Sequence, residues 1–299
     1  MKKAARFLMT DPAHYAVRYQ INPWMRPDVW RAGATPLAER AAEASQALAE
    51  RLVDLGAEIE WICAEQGVPD LVFTANAGTV LDGKVLLARF RHPERRLEEP
   101  IFRAAFEDLA ARGVVDEIVE LPPGIIQEGA GDAIWDADRG LFWTGWGPRS
   151  DREASDAVSA VFSRPTAPLE LISERFYHLD TCFRPLARGD ILYFPAAFSD
   201  AALRAIRGRA QGGRLIEATP EEAAAFCVNA VRLGDDVVMA KAPPGLRRRL
   251  EAHGYRVHEI DLAPFILSGG AAFCMTLRLD QTAEEETFHD RSRHAHALA

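Results

Sequence analysis

Apolar residues return every three or four positions from residue 36 to residue 55, at Leu37, Ala41, Ala44, Leu48, Leu52 and Leu55, which predicts one amphipathic helix. Thr35 is placed to cap it, Pro36 to occupy its first turn and Gly56 to end it. The period then changes to two. Ala57, Ile59 and Trp61 alternate with polar residues, as in a half-buried strand.

Beyond this point one pattern recurs. GTV-LDG-KVLLARF reads as strand, tight turn and strand, with a helix over 101–111. DAIW-DADRG-LFWTGW repeats it with a helix over 151–163, and TCFRPL-ARGD-ILYFP with a helix over 200–209. NAVRL-GDD-VVMAKA is the fourth copy, with a helix over 244–253. An extra strand (VDEIVEL, PLELI, RLIEA, YRVHEIDL) is expected to precede each hairpin-plus-helix unit. A fifth unit can be assembled from AFCMTLRLD near one end of the chain and ARFLMT near the other. The turns near 82, 138, 189 and 235 recur at intervals of about 50 residues, the period of a repeat architecture.

The expected fold is therefore α/β: a single domain over 1–280, built as a five-bladed pseudo-symmetric α/β propeller of repeated ββαβ units. A polar, loosely held tail is expected over 281–299. The rival doubly wound sheet has no GxGxxG after a strand to support it.

Composition narrows the function classes. Among 299 residues, 48% are hydrophobic and 26% charged, ordinary for a globular protein, and the net charge is −9. An acidic chain of this kind is not expected to bind nucleic acid through its backbone phosphates, and it mildly favours a cationic ligand. No apolar run reaches the 18 or more residues of a membrane span, nor does the N-terminal segment read as a signal peptide. Cys63, Cys182, Cys227 and Cys274 are far apart and never form CxxC, which suits reduced thiols in a cytoplasm and argues against a zinc site.

Four loop-like segments carry more chemistry than a turn needs. In SGGAAFC, a Gly-Gly pair precedes Cys274, which is read as opening a strand. In YHLDTCF, His178 and Asp180 are two apart; on a strand both would point to one face. In IIQEGAGD, Glu128 enters a Gly-rich bend before Asp132 and could orient a histidine. In PDLVFTANAG, Asn76 interrupts an apolar stretch and needs a partner. Taken singly, each has a bland alternative: a buried strand cysteine, a surface His-Asp pair, a solvated turn, a structural amide. Cys182 lies four residues from His178 and, on a strand, would share its face. The remaining histidines and cysteines are assigned no function.

The order PD-x-VF-x-x-N, E-G-x-GD, H-x-D and GG-x-x-x-C resembles the guanidino-group-modifying superfamily over nearly the whole chain. That superfamily includes arginine deiminases, dimethylarginine dimethylaminohydrolases, amidinotransferases and arginine dihydrolases. The resemblance implies a five-bladed α/β propeller with Cys274 as nucleophile, His178 as acid and base, and Glu128 as the carboxylate holding the histidine. It implies substrate contacts from Asp180 to the guanidinium, from Arg149 to the α-carboxylate, and from Arg95 as a second such arginine. It implies no metal or organic cofactor and a small-molecule guanidino substrate. A homo-oligomer is compatible with it.

One departure is informative. Deiminases and dimethylarginine hydrolases have an aspartate where this chain has Asn76, and the latter also have a glutamate where it has Ala75. YQINPWM with Asn22, and TANAG with Asn76, resemble the arginine dihydrolases. That favours two rounds of hydrolysis, giving ornithine, ammonia and carbon dioxide. The alternatives are a dimethylarginine dimethylaminohydrolase, an amidinotransferase, and a non-catalytic arginine-binding or scaffold propeller.

Overall fold

The computed structural model describes residues 4–210 and 212–283. The strands form five separate three-stranded sheets. The first contains β1 (Arg6–Thr10) and β2 (Glu58–Ile62), paired in parallel. The second is β3 (Gly78–Leu81), β4 (Lys84–Leu87) and β5 (Glu117–Val119), and the third β6 (Ala133–Asp136), β7 (Leu141–Trp146) and β8 (Thr166–Glu170). The fourth is β9 (Phe183–Pro185), β10 (Ile191–Tyr193) and β11 (Leu215–Glu217), and the fifth β12 (Val231–Leu233), β13 (Asp236–Ala240) and β14 (Arg256–Ile260). The last strand, β15 (Leu277–Arg278), pairs antiparallel with β1. The two ends of the repeat thus share one sheet, as the sequence pattern requires.

The four sheets whose strands are contiguous in sequence have the same local logic. An antiparallel hairpin comes first, then a helix, then a strand parallel to the hairpin's second strand. The extra strand therefore completes the unit it follows and does not precede the next one. A parallel partner needs a crossover, and the helix supplies it.

The crossover helices are α3 (Glu98–Ala111), α4 (Ala154–Phe162), α5 (Asp200–Arg209) and α7 (Pro244–Ala252), with a short α6 (Pro220–Ala224) before the fifth sheet and α8 (Ala263–Ile266) after it. In the first sheet that role falls to α2 (Ala34–Asp54), after a short α1 (Pro27–Ala32) that the sequence reading missed.

Helix α2 begins two residues earlier than expected, with Gly33 and not Thr35 at its N-cap. Pro36 still sits in the first turn, where a missing N–H is harmless. Gly56, at φ 88°, closes the helix: its N–H donates to Val53 and that of Ala57 to Leu52. In the second hairpin Asp82 and Gly83 both have positive φ, 52° and 74°, the geometry a two-residue turn needs to follow strand twist.

Third strands are the more exposed. First strands such as β3 and β6 are buried throughout, whereas third strands such as β5 and β11 are half-exposed. First strands of adjacent sheets pack together, β3 with β6 and β6 with β9. No helix among the described residues is long and apolar enough to cross a membrane. Of the expected tail, Gln281 and Ala283 are bonded to Asp82; residues 284–299 lie outside the described residues.

Candidate functional site

Each first strand is fed by a short turn, and on each turn sits one polar or reactive side chain. Asn76 ends the 3-10 turn Thr74–Asn76, and Asp132 follows the 3-10 turn Gly129–Gly131. Asp180 lies within the 3-10 turn Leu179–Thr181, Asn229 just ahead of β12, and Cys274 in the turn ahead of β15. All five are buried. The pseudo-symmetry that repeats the sheets thus also gathers five loops at one end of the first strands.

The thiol has two polar neighbours. Cys274 Sγ lies 3.0 Å from Asp180 Oδ2 and 3.0 Å from Asn229 Nδ2. Asn229 also donates to the Asp180 carbonyl and accepts from the Cys274 backbone N–H, so a single amide ties the two turns together. Burial raises the thiol well above its usual value, and the Asp180 carboxylate reinforces the effect. Burial also pushes the Asp180 carboxyl up to about 7. Without a bound cation the pair retains a proton.

The histidine faces a different carboxylate. His178 Nε2 is 2.7 Å from Glu128 Oε2, and the same oxygen accepts from Arg149 Nη1 at 3.0 Å. Burial alone would raise Glu128, but Arg149 and His178 hold its carboxyl well below the usual range. An ionised carboxylate only accepts, so Nε2 carries the proton and Nδ1 is left for chemistry. Behind them Ser150 donates to Asp132 Oδ2 at 2.6 Å, and Asp132 Oδ1 accepts from Leu179 N–H. Burial pushes Asp132 up to about 6.

The Gly-rich bend has a steric reason. A Cβ on Gly131 would stand 2.4 Å from Asn76 Nδ2, so a larger residue would displace that amide, whereas its 3.5 Å to the His178 ring is ordinary contact. Asn76 is held at both ends: Oδ1 accepts from Arg95 Nη1 at 2.8 Å, and Nδ2 donates to the Glu128 carbonyl at 3.0 Å.

The arginines are more committed than the sequence suggests. Arg95 forms a buried two-pronged ion pair with Glu98 besides its bonds to Asn76 and the Asp70 carbonyl. Its guanidinium faces these groups, not open space for a carboxylate. Arg149 lies over the Tyr177 ring at 4.5 Å and donates to the Ile21 carbonyl. It also lines a cleft of about 740 Å³ with Ile21, Asn22, His92, Ile172 and Tyr177. Asn22 braces this rim, donating to the Ser268 carbonyl and accepting from Trp24 and Met25 N–H.

Two expectations about local structure are corrected. His178 and Asp180 are not on a strand: His178 caps a 3-10 turn, so their spacing does not place them on one face. Asp180 instead meets Cys274, and His178 meets Glu128. Cys274 lies in a turn before β15 rather than opening it. The strand argument for Cys182 fails for the same reason, since its thiol points at the backbone carbonyls of His178 and Leu179 within the core.

The sequence reading missed Asn229, although the repeat signalled it: the fourth unit should place a residue where the others place Asn76, Asp132 and Asp180. It also left Asp70 unassigned within the PD-x-VF motif. That carboxylate is buried and accepts from Tyr19 on Oδ2. Among the described residues, Asp70 Oδ1 and Asp180 Oδ1 are both buried without a hydrogen-bond partner. Orphaned buried acceptors, one of them on the carboxylate beside the thiol, suit a ligand with N–H donors.

Comparison with known proteins agrees with this chemistry. The profile of a family described as N,N dimethylarginine dimethylhydrolase, eukaryotic, matches residues 14–280. The chain is 40% identical over 286 residues to the bifunctional arginine dihydrolase/ornithine cyclodeaminase AgrE of Nostoc sp., covering 96% of this chain and 39% of AgrE. It is 34% identical over 278 residues to the N(G),N(G)-dimethylarginine dimethylaminohydrolase of Mycobacterium tuberculosis, covering 93% and 86%. The crystal structure of the product-bound N-terminal domain of ArgZ, a cyanobacterial arginine dihydrolase, superposes with a TM-score of 0.87 at 37% identity, covering 94% of this chain and 99% of that one. The chain spans about two-fifths of the length of the bifunctional relative AgrE.

Proposed function

The chain belongs to the guanidino-group-modifying family of the dimethylarginine dimethylaminohydrolases and arginine dihydrolases, and from that premise we propose that it hydrolyses L-arginine twice, to ornithine, two ammonia and carbon dioxide. The observation that carries the reading is the orphaned carboxylate oxygen Asp180 Oδ1 beside a buried thiol, with Asp70 Oδ1 as a second buried acceptor that lacks a partner. A guanidinium and an ammonium on one small molecule would satisfy both.

In this reading a guanidinium against Asp180 drives that carboxyl to ionise and favours the Cys274 thiolate, and the proton the pair gives up is taken up at His178 Nδ1. The thiolate attacks the guanidinium carbon while His178 passes a proton to the departing amine, and ammonia leaves. His178 then takes a proton from water, which attacks the amidino-thioether and expels sulfur to give a ureido group. Glu128 holds the histidine and carries its charge. Arg149, at the cleft, meets the α-carboxylate. Arg95 positions Asn76 rather than the substrate.

The second round repeats the attack on a neutral ureido carbon, releasing the second ammonia and a carbamate that breaks down to carbon dioxide and ornithine. Two waters enter and the atoms balance. An anionic side chain at position 76 would accept from the guanidinium but could not donate to the ureido oxygen. Asn76, its Oδ1 occupied by Arg95, retains an amide N–H that can.

Three further features accompany the proposal. The five sheets are the blades of one closed propeller, with residues 1–280 as its domain. The four unpaired thiols suit a reducing cytoplasm. Arginine, rather than a methylated arginine, is the preferred substrate.

Product analysis with L-arginine tests the reading. It expects ornithine with two equivalents of ammonia and no accumulated citrulline. Stoichiometric citrulline would overturn the second round, and release of dimethylamine from dimethylarginine at a higher kcat/KM would overturn the substrate.

A further inference from the structure

A second cavity, of about 50 Å³, is lined by residues of the first strands, including Trp135, Asp136, Arg184, Arg232 and Arg278, together with Phe273. Neither Cys274, His178, Glu128 nor Asp180 lines it. The repeat explains why three arginines meet there. Arg184 is the middle residue of β9, Arg232 of β12, and Arg278 the second residue of β15, so three successive units deliver a guanidinium from equivalent first strands.

The charges do not cancel. Asp136 is already paired with Arg139 at 2.7 Å, Arg232 faces Asp138 at 3.6 Å, and Arg278 pairs with Asp280 at 3.1 Å. Among the described residues Arg184 has no ion pair; its guanidinium lies 4.5 Å from the Phe273 ring centre, and its Nε is buried without an acceptor. The Trp135 indole N–H, on the neighbouring first strand β6, is likewise buried and without an acceptor. Two residues with an unused donor each, and a surplus positive charge, line one small cavity.

We propose that this cavity binds a small inorganic anion, held by the Arg184 guanidinium and the Trp135 indole N–H, with Arg232 and Arg278 supplying further positive field. A site needs roughly 10–15 Å³ for each water-sized occupant. The volume therefore admits chloride, bicarbonate or phosphate and excludes a polyhydroxy carboxylate such as gluconate. Asp136, the carboxylate in the lining, opposes the anion only weakly because Arg139 neutralises it. Burial, with repulsion from Arg232 and Arg278, pulls Arg184 down to about 9, a penalty that an anion would relieve. Phe273 directly precedes Cys274, so occupancy would brace the turn that carries the thiol.

Thermal unfolding of the full chain at constant ionic strength tests this, with sodium gluconate replaced stepwise by chloride, bicarbonate or phosphate. Binding to the folded state alone predicts a saturable rise in Tm with at least one of the three, which identifies the occupant. R184Q should remove the rise, and R184K should retain it with at least tenfold weaker apparent affinity. A Tm indifferent to the anion, or an R184Q response equal to that of the wild type, would overturn the proposal. Should R184Q fail to fold, bromide-soaked wild-type crystals decide: an anomalous peak in contact with Arg184 and Trp135 supports the site, and water alone sinks it.

Discussion

The Sγ of Cys274 lies 3.0 Å from Oδ2 of Asp180, within hydrogen-bond distance for a thiol donating to a carboxylate. Both groups are buried, and burial pushes both upward, Asp180 to about 7. A thiol in this pair is held protonated unless a cation takes the place of the shared proton. In the proposed reaction that cation is the substrate itself.

The first prediction concerns pH. Productive binding requires ionised Asp180, so kcat/KM should rise with pH through about 7 and then level. Asp180→Asn should lose this limb and at least ~100-fold in kcat/KM. Stability should move the other way. The unfolded carboxyl ionises near 4, so the folded chain binds this proton more tightly, and the stability it contributes is complete below that value and falls as pH rises to about 7. Asp180→Asn should therefore unfold at a higher Tm than wild type at pH 8. An unchanged pH profile in the variant would refute the assignment.

Alkylation distinguishes the thiols. Cys63 is exposed, whereas Cys182 and Cys227 are buried, with burial raising both thiols. Iodoacetamide should label Cys63 first and without regard to arginine. Labelling of Cys274 should follow and be slowed several-fold by L-arginine, as read by peptide mass spectrometry. Equal protection of Cys63 would show that arginine acts elsewhere.

Glu128 accepts from two donors, His178 at 2.7 Å and Arg149 at 3.0 Å. Glu128→Gln leaves Arg149 buried without its carboxylate, a loss on the order of 3–5 kcal/mol for a broken buried pair. It also frees the imidazole tautomer. We expect kcat to fall ~10²–10⁴-fold together with a lower Tm. A variant with normal kcat would remove Glu128 from the proton relay.

Asn76→Asp tests the second round of hydrolysis. The new carboxylate keeps the Arg95 bond but has no N–H for the Glu128 carbonyl or for a ureido oxygen. Arginine consumption should persist, within ~10-fold, while citrulline accumulates in place of ornithine. If ornithine remains the main product, the amide is not what permits the second attack.

The five-fold repeat was legible along the chain because turn residues and strand patterns are local properties. Asp82-Gly83 and Gly56 behave as their φ preferences require. Strand partnership was not legible: the strand after each helix closes the sheet behind it, which depends on the crossover packing back onto its own hairpin.

The same division runs through the site. Cys274, His178, Glu128, Asp180 and Asn76 could be singled out because the residue types and their order in the chain carry the family pattern. Only the tertiary structure decided who faces whom. His178 and Asp180, two residues apart, part company on a 3-10 turn and take different carboxylate and thiol partners 50 and 94 positions away. Arg95 proved committed to Glu98, and Asn229 emerged as the amide beside the thiol. Spacing along a chain determines direction only where the backbone is regular; on the short turns that feed the first strands, the direction of a side chain is set by packing between units distant in sequence.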